Sequence, residues 1–407
     1  MANPKVWLDI NLAGAHAFVG NNYIYAPQTT YGGLTEVETF LTNSNPNNLR
    51  LHAHSTIMGP SASLAILRNT YGLQTNVKTF LNVDRIPGAI ARSVVGEDTL
   101  ETGRSYTFSG ARLKGMSWME VGLSFAQINR TAGKSMVTIG GSLKYLRGIT
   151  AINAIITQGS YQENGTNEIK SSGKYAIVEP GANNGLGFST DLGFTVQKTL
   201  TSADGYVPHS REGGCRYIFY KYRFGVSLVD VGFLRFNKNA KYGEWSQEIS
   251  VDDLDTIISA NDPTTIFENE KQTFLTMLPS ALSVQFDYYL VKNFYLNASI
   301  FQSIGLANAL GVERGNSLYA SLRYEHRYFA VTLPVSFYNY SKPSIGLALR
   351  IGPLNIGTDV FTPLLLKSDI YKADIYASIH IKFRRNPACK GKKQRNDGSG
   401  QISCPTW

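Results

Sequence analysis

Strict alternation of apolar and polar residues constrains the fold of this chain more than any other feature. In the run ADIYASIHIKF at 373–383, Ile375, Ile379 and Ile381 alternate with polar residues up to Phe383. A period of two predicts a β-strand with one apolar face and one polar face. Similar runs occupy 282–290, 294–300, 318–324, 329–337 and 345–357. We therefore expect the C-terminal third to form consecutive antiparallel hairpins.

The lengths of these runs and of their connections favour a membrane barrel over a soluble sandwich. Strands of about ten residues cross a bilayer when tilted, whereas strands in globular proteins usually hold five to six residues. Short turns at 291–293, 326–327 and 352–353 alternate with longer loops at 305–317, 339–344 and 361–372. Outer-membrane barrels have short periplasmic turns and longer outer loops. The sequence thus predicts an all-β fold, a transmembrane antiparallel β-barrel of roughly 14 strands.

Composition agrees with this class. Charged residues make up 17% of the chain, and aromatic residues 12%. No stretch approaches the ~20 consecutive apolar residues of a membrane helix, which excludes helical spanning but not a barrel. The net charge of +9 is concentrated after Phe383, so we expect a solvated basic tail and no nucleic-acid partner. The basic residues of that tail are Arg384, Arg385, Lys390, Lys392, Lys393 and Arg395.

The predicted organisation is a barrel at 1–383 followed by a short periplasmic tail at 384–407. If the chain leaves the barrel in the periplasm, counting crossings backwards places 251–277 outside the cell. The same count places a turn at Val229–Asp230 in the periplasm. The predicted location is the cell outer membrane, and the polar strand faces should turn toward the lumen. These predicted lumen residues are Asp287, Arg323, Glu325, Asp374, Tyr376 and His380.

Three cysteines bear on this topology. Cys389 and Cys404 both lie in the tail, whereas the count of crossings places Cys215 on the outer side. A disulfide needs Cα atoms within ~7 Å, and the membrane holds its two faces ~30 Å apart. The expected bond is therefore Cys389–Cys404 in the oxidising periplasm, with Cys215 free or bonded to another protein.

Motifs for catalysis or for cofactor binding are not found. The chain has no Gly-x-Ser-x-Gly elbow, no His-Glu-x-x-His and no phosphate-binding Walker loop. His52 and His54 share one strand face, but without a third ligand a pair in the lumen or a loop is favoured over a metal site. We expect no enzyme activity, no cofactor and no metal.

The opening NPKVWLDINLAGAHAFVGNNYIY resembles a family of Bacteroidota outer-membrane barrels of unknown function. Its members carry Asn-Pro, then Asp-Ile-Asn-Leu and Gly-Asn-Asn-Tyr, found here at Asn3–Pro4, Asp9–Leu12 and Gly20–Tyr23. The blocks at 58–66, 140–148, 222–234 and 277–290 also look like blocks of that family. The family is similar to FadL-type transporters and to the PorV-like barrel of the type nine secretion system. The resemblance implies a barrel fold and an outer-membrane location.

Two functions remain open from the sequence. The first is a structural or accessory subunit of an envelope complex for secretion, assembly or uptake, with the basic tail as a docking surface. Its partners are outer-membrane lipid, lipopolysaccharide and other envelope proteins. The alternative is a FadL-like channel or transporter for small hydrophobic ligands, whose lumen is plugged by residues 24–50 or 84–104.

Overall fold

The computed structural model describes residues 6–25, 41–42, 48–88, 105–163, 167–211, 215, 217–250, 268–305, 310–326, 328–341, 343–361, 369–384 and 386–389. Its strands are β1 (Leu8–Asn21), β2 (Ile24–Tyr25), β3 (Leu41–Thr42), β4 (Asn48–Met58), β5 (Ser61–Ile66), β6 (Asn69–Pro87), β7 (Ser105–Phe108), β8 (Ala111–Ala132), β9 (Ser135–Glu163), β10 (Asn167–Val178), β11 (Gly185–Thr199), β12 (Tyr220–Phe236), β13 (Ala240–Ser250), β14 (Glu268–Lys271), β15 (Phe274–Met277), β16 (Ala281–Val291), β17 (Phe294–Ser303), β18 (Ser317–Glu325), β19 (Phe329–Tyr338), β20 (Ser344–Ile345), β21 (Leu347–Ile351), β22 (Leu354–Thr358) and β23 (Lys372–Phe383). A 3₁₀ turn covers Pro387–Cys389. Within the described ranges, no helix is long and apolar enough to cross a membrane.

The strands close into a 14-stranded antiparallel barrel, which confirms the predicted fold. Closure occurs at β1, which pairs with β23 on one side and with β4 and β5 on the other. Some segments continue one another within a single wall strand: β4 with β5, β7 with β8, β10 with β11, β12 with β13, β14 with β15 and β16, and β20 with β21. A closed sheet has no unpaired edge, as a bilayer requires.

The outward face of the barrel is apolar. On β8, Val121, Leu123 and Phe125 are exposed, while the residues between them turn to the interior and are buried or half-buried. Leu143 on β9 and Ile375 on β23 are exposed in the same way. Monomeric soluble proteins rarely expose apolar surface this extensively, and the hydrocarbon core of a bilayer would cover it. The chain is an outer-membrane-type barrel.

The two ends of the barrel differ. Leu8 of β1 pairs with Phe383 of β23 at one end, here called the terminal end. The short turns at 291–293, 326–328 and 352–353 lie at this end too, as the alternation of loop lengths predicts. The opposite end is called the loop end. There the wall is taller on one side, because the second half of β9 pairs with β10, and β10 with β13, beyond β11 and β12.

The predicted turn at Val229–Asp230 is wrong, because β12 continues through both residues. The strand has a bulge at this point: Thr190 of β11 pairs with Val231, whereas Leu192 pairs with Leu228. Asp230 has a φ of 54°. Because of the extra residue, the exposed positions are even-numbered up to Leu228 and odd-numbered from Val231 onward. A bulge redirects a side chain without reversing the chain. One predicted crossing is therefore absent.

The predicted Cys389–Cys404 bond is also wrong, because Cys389 is bonded to Cys215. With one crossing fewer, the connection between β11 and β12 lies at the terminal end, and we call it the terminal loop. It carries Cys215 to the end where β23 finishes. The Cα atoms of the two bonded cysteines are 5.8 Å apart. Cys404 lies outside the described residues.

The terminal loop is held against the turn between β8 and β9. Asp204 accepts hydrogen bonds from the Gly133 N–H at 2.6 Å and from the Ser202 hydroxyl at 2.7 Å. The Ser202 hydroxyl, and then the Gly133 N–H, lower the pKa of the Asp204 carboxyl below its usual value. Tyr206 and Ile218 of the same loop are buried in a small cluster with side chains of β8 and β9. The terminal loop thus covers part of the terminal opening.

Candidate functional site

A network of buried charged side chains crosses the middle of the barrel interior. Its centre is the carboxylate of Asp230, which lies 3.1 Å from Lys78 Nζ, 2.8 Å from Lys144 Nζ and 2.8 Å from a guanidinium nitrogen of Arg314. Lys78 lies on β6 and Asp230 on β12, on separate parts of the wall with β8, β9 and β11 between them. The contact between them therefore runs through the lumen.

Further carboxylates complete the network. Lys144 lies 2.7 Å from Asp191, and Lys78 lies 3.1 Å from Glu120. The backbone N–H of Asp230 donates to Asp191 at 2.8 Å, which the bulge in β12 makes possible. Because a buried charge is costly unless it is paired, three cations and three carboxylates hold one another in place here.

The connection between β17 and β18 folds back into the barrel, and its described part at 310–316 is here called the inward loop. Val312 of this loop is buried and Leu310 packs beside it. Both belong to an apolar cluster that also holds Phe80, Met116, Trp118, Leu146, Ala151, Ala176, Val178, Leu234, Phe236, Ala240, Phe274, Leu278 and Tyr242. The inward loop thus contributes to a packed layer across the lumen.

Polar contacts fix the inward loop to several strands of the wall, among them β15, whose Met277 N–H donates to the Leu310 carbonyl at 3.0 Å. The N–H of Gly311 donates to the amide oxygen of Asn153 on β9 at 3.2 Å. The N–H of Glu313 donates to Asn82 on β6 at 2.9 Å. The Glu313 carboxylate lies 2.8 Å from Lys114 Nζ on β8. With Arg314 bound to the charged network, consecutive residues of the loop make separate ionic contacts.

A chamber lies at each end of the lumen. The terminal chamber has a volume of about 410 Å³, and its mixed apolar and polar lining includes Asn11, Gln74 and Asp191. The loop-end chamber has a volume of about 470 Å³ and is lined by charged groups, among them Arg112 and Glu313. Asp191 of the network borders the first chamber and Glu313 of the inward loop borders the second. The network and the inward loop therefore separate the chambers.

Three of the predicted lumen residues form a second ion-paired group. The guanidinium of Arg323 lies 3.3 Å from Asp287 and 3.0 Å from Glu325. The Tyr220 hydroxyl donates to Asp287, and Arg323 lies over the ring of Tyr295 with 5.1 Å to its centre. This group lies nearer the terminal end than the central network does.

The other predicted lumen residues, all on β23, have different surroundings. Asp374 is buried and lies 2.7 Å from His16 Nε2. The Tyr376 hydroxyl donates to Asp359 at 3.3 Å. His380 lies 3.4 Å from Asp9 and borders the terminal chamber. The Asp359 N–H also donates to Asp374 at 2.9 Å, so the structure brings Asp374 and Tyr376 together around Asp359 and leaves His380 apart from them.

The histidine pair lies on the interior face of β4, among aromatic rings. His52 Nδ1 is 2.9 Å from the Asn82 amide nitrogen. The His54 ring is 5.0 Å from that of His16 and 5.2 Å from that of Phe18, centre to centre. Among the residues that the structure describes, no group of three or more His, Cys, Asp or Glu side chains has the arrangement of a metal site.

Some predicted elements lie outside the described residues. They are the tail residues Arg385, Lys390, Lys392, Lys393 and Arg395, the segment 251–267, and most of the predicted plug segments 24–50 and 84–104. Arg384 is the member of the predicted docking set that is described. The inward loop, which the structure places inside the lumen, differs from both predicted plugs.

The residues of the central network were not singled out from the sequence. Lys78, Glu120 and Lys144 are ordinary polar positions of alternating strands, and nothing local pairs them. One signal in the sequence could have indicated the bulge. The apolar–polar alternation shifts by one residue between Leu228 and Val231, without the Gly, Pro or Asn of a turn.

Comparison with known proteins supplies the family. The chain matches the model of DUF5723, a family of unknown function, over residues 1–359. No curated protein matches it. Similar solved structures include the toluene transporter TbuX of Ralstonia pickettii, at 12% identity over 95% of this chain and 93% of that chain with a TM-score of 0.42. Another is a deletion mutant of the monoaromatic hydrocarbon channel TodX, at 10% identity over 94% and 93% with a TM-score of 0.44. The chain belongs to the DUF5723 family.

Proposed function

We propose that this protein is a gated outer-membrane passage for small solutes, with the inward loop as its gate. One observation carries the proposal: the lumen holds a chamber at each end, and a loop with its side-chain contacts separates them. A solute therefore has a chamber to bind in on either side of the inward loop. Displacing the inward loop from the wall would join the two chambers.

The contacts of the inward loop suit reversible movement. Besides the apolar packing of Leu310 and Val312 and the hydrogen bond from the Met277 N–H to the Leu310 carbonyl, the loop is held by hydrogen bonds to two asparagine side chains and by the ion pairs of Glu313 and Arg314. A hydrogen bond to a charged group contributes roughly 1.5–3 kcal/mol, so a few such contacts keep the loop closed without locking it. Loop movements of this kind take place on time scales of nanoseconds to milliseconds and longer.

The polar groups in the lining of the chambers favour a solute that can form hydrogen bonds with them. Ser61, Thr70, Gln74 and Ser124 line the terminal chamber, and charged side chains line the loop-end chamber. A hydrocarbon filling either chamber would deprive these groups of hydrogen bonds with water. The proposed passage is therefore a channel, as in the alternative from the sequence, but for a small polar solute in place of a hydrophobic one.

The proposed orientation has the terminal end in the periplasm. The three shortest turns lie at this end, and outer-membrane barrels have their short turns on the periplasmic side. The tail and the Cys215–Cys389 bond would then face the periplasm, and the loop-end chamber would face the medium.

Swelling of proteoliposomes in a pentose solution tests the gate. Arg314→Gln removes one of the three cations that contact Asp230 and should loosen the inward loop. We expect slow swelling with the wild-type protein and swelling several-fold faster with the variant. Lys292→Gln, at an exposed turn of the terminal end, is the matched control and should swell like the wild type. Equal, negligible swelling of all three proteins would contradict a gated passage.

An accessory role in an envelope complex is the second candidate. The taller part of the wall carries the cross-strand pair Ile152 and Ile177, both about 39% exposed, beyond β11 and β12. Exposed apolar residues on such an extension are suited to contact with another envelope protein. Ile177→Asp should then release a partner that co-purifies with the wild-type barrel. A stoichiometric partner together with no solute flux would favour this role over the passage.

A further inference from the structure

We propose that the loop-end chamber binds a small anion, which competes with Glu313 for Lys114 and so releases the inward loop. The evidence for the binding site is the lining of the chamber and does not depend on the proposed function. The release of the loop rests on the proposed function, since it makes the transported solute the agent that opens the gate.

The loop-end chamber has an excess of positive charge. The charged residues that line it are the cations Arg50, Arg85, Arg112, Lys114 and Lys372 and the carboxylates Asp84 and Glu313. A concave surface with low-dielectric walls strengthens the field of such an excess and concentrates anions. With a volume of about 470 Å³, the chamber is in the size range of small-molecule sites.

Arg112 has donor capacity that the described residues do not use. It lies on β8 directly across from Asp84 on β6. Asp84, however, is contacted by Arg50 at 3.2 Å and by Arg85 at 3.5 Å. The buried Nε of Arg112 has no hydrogen-bond partner in the described part of the chain. Buried donors are nearly always satisfied, and a guanidinium fork matches a carboxylate or phosphate, so an anion in the chamber is its natural partner.

Glu313 is a carboxylate that the protein itself places on the floor of this chamber. The Lys114 side chain is 2% exposed, whereas that of Glu313 is 39% exposed. A buried ammonium needs an anionic partner, but a partner that reaches solvent can be exchanged for another anion. A carboxylate or phosphate that reaches Lys114 beside Arg112 would displace Glu313. The inward loop would then lose one of its two ionic anchors.

The chemical class of the ligand is therefore a small solute with a carboxylate or phosphate group. Asn316, Tyr338 and Ser341 on the opposite side of the chamber offer hydrogen bonds to the rest of the solute. A phosphate of lipopolysaccharide has the same chemistry. The chamber lies inside the ring of strands while lipid lies outside it, which favours a dissolved anion.

Calorimetric titration of the detergent-purified barrel with inorganic phosphate, in chloride-free buffer, tests the site. We expect saturable binding that becomes about tenfold tighter in Glu313→Gln, because the internal competitor is gone, and about tenfold weaker in Arg112→Gln. Lys292→Gln is the control and should bind like the wild type. Unchanged affinity in nanodiscs that contain lipopolysaccharide supports a dissolved anion as the ligand.

No saturable binding, or equal affinity in wild type and Glu313→Gln, would overturn the site. Loss of phosphate binding in the lipopolysaccharide nanodiscs would overturn the dissolved anion as its ligand. Heat-modifiable gel mobility confirms that each variant is folded. Swelling with and without phosphate then tests the coupling separately: binding with no effect of phosphate on flux would overturn the release of the inward loop and leave the site intact. Absent flux in every variant would contradict the passage.

Discussion

Asp230 is the residue on which the barrier between the two chambers depends most. One carboxylate faces Lys78, Lys144 and Arg314, and its side chain is 3% exposed. It reaches this position because the bulge in β12 gives it a positive φ and turns it inward. The local sequence shows only that a polar residue occurs at this position. The closed barrel brings Lys78 of β6 within 3.1 Å of it. Such pairings between separate parts of the wall are not visible in sequence.

Asp230→Asn should lower the free energy of unfolding by about 3–5 kcal/mol, because three buried cations lose the charge that compensates them. Urea unfolding in lipid vesicles, followed by tryptophan fluorescence, measures the loss. Glu244→Gln is the control, since Glu244 is 59% exposed and its pair with Lys174 should contribute little. An equal effect of the two substitutions would show that the central network does not stabilise the barrel more than an exposed ion pair does.

The strands show where sequence reasoning succeeds and where it does not. A period of two identified the outward and inward faces of β16 to β19 and of β23, because lipid and lumen select opposite side chains. The same reasoning failed at β12, where a bulge changes the phase and imitates a turn. That single error moved Cys215 to the wrong end and produced the wrong disulfide.

Neighbouring positions of β8 should tolerate a charge very differently. Leu123 is 68% exposed on the outward face, whereas Ser124 lines the terminal chamber. Leu123→Lys should destabilise the barrel by ~2–4 kcal/mol in a bilayer, as a charge near the midplane does. Ser124→Lys should have a much smaller effect because the chamber holds water. Unfolding in vesicles measures both variants, and similar losses would contradict the membrane-spanning assignment.

The terminal loop and the tail should be covalently joined. β12 and β23 lie on opposite sides of the barrel, so the bond between Cys215 and Cys389 bridges the terminal opening. A peptide map without reductant should show these two cysteines linked. Cys404→Ser should leave the linked peptide unchanged, whereas Cys215→Ser should abolish it. A dominant Cys389–Cys404 peptide would restore the bond expected from sequence and contradict the strand count of the structure.

The barrel as a whole was predictable because repeated local patterns indicate its fold: long alternating runs, short turns at one end and low charge. Its interior was not. The inward loop has the Gly-rich, polar composition of an ordinary outer loop, and its position depends on Asn82, Lys114 and Asn153 on three separate strands. These contacts, made across the closed barrel, divide the lumen into two chambers.

Single-channel recording in planar bilayers shows whether the inward loop is the barrier between the two chambers. In the variant to compare with the wild type, a short Gly-Ser linker replaces residues 305–315, while Asn316 is retained because it binds Ser303 and Asn339 at the base of the loop. We predict a wild-type barrel that is closed most of the time and a variant with a steady, several-fold larger conductance. A variant that is folded, inserted and as closed as the wild type would show that the inward loop is not the barrier.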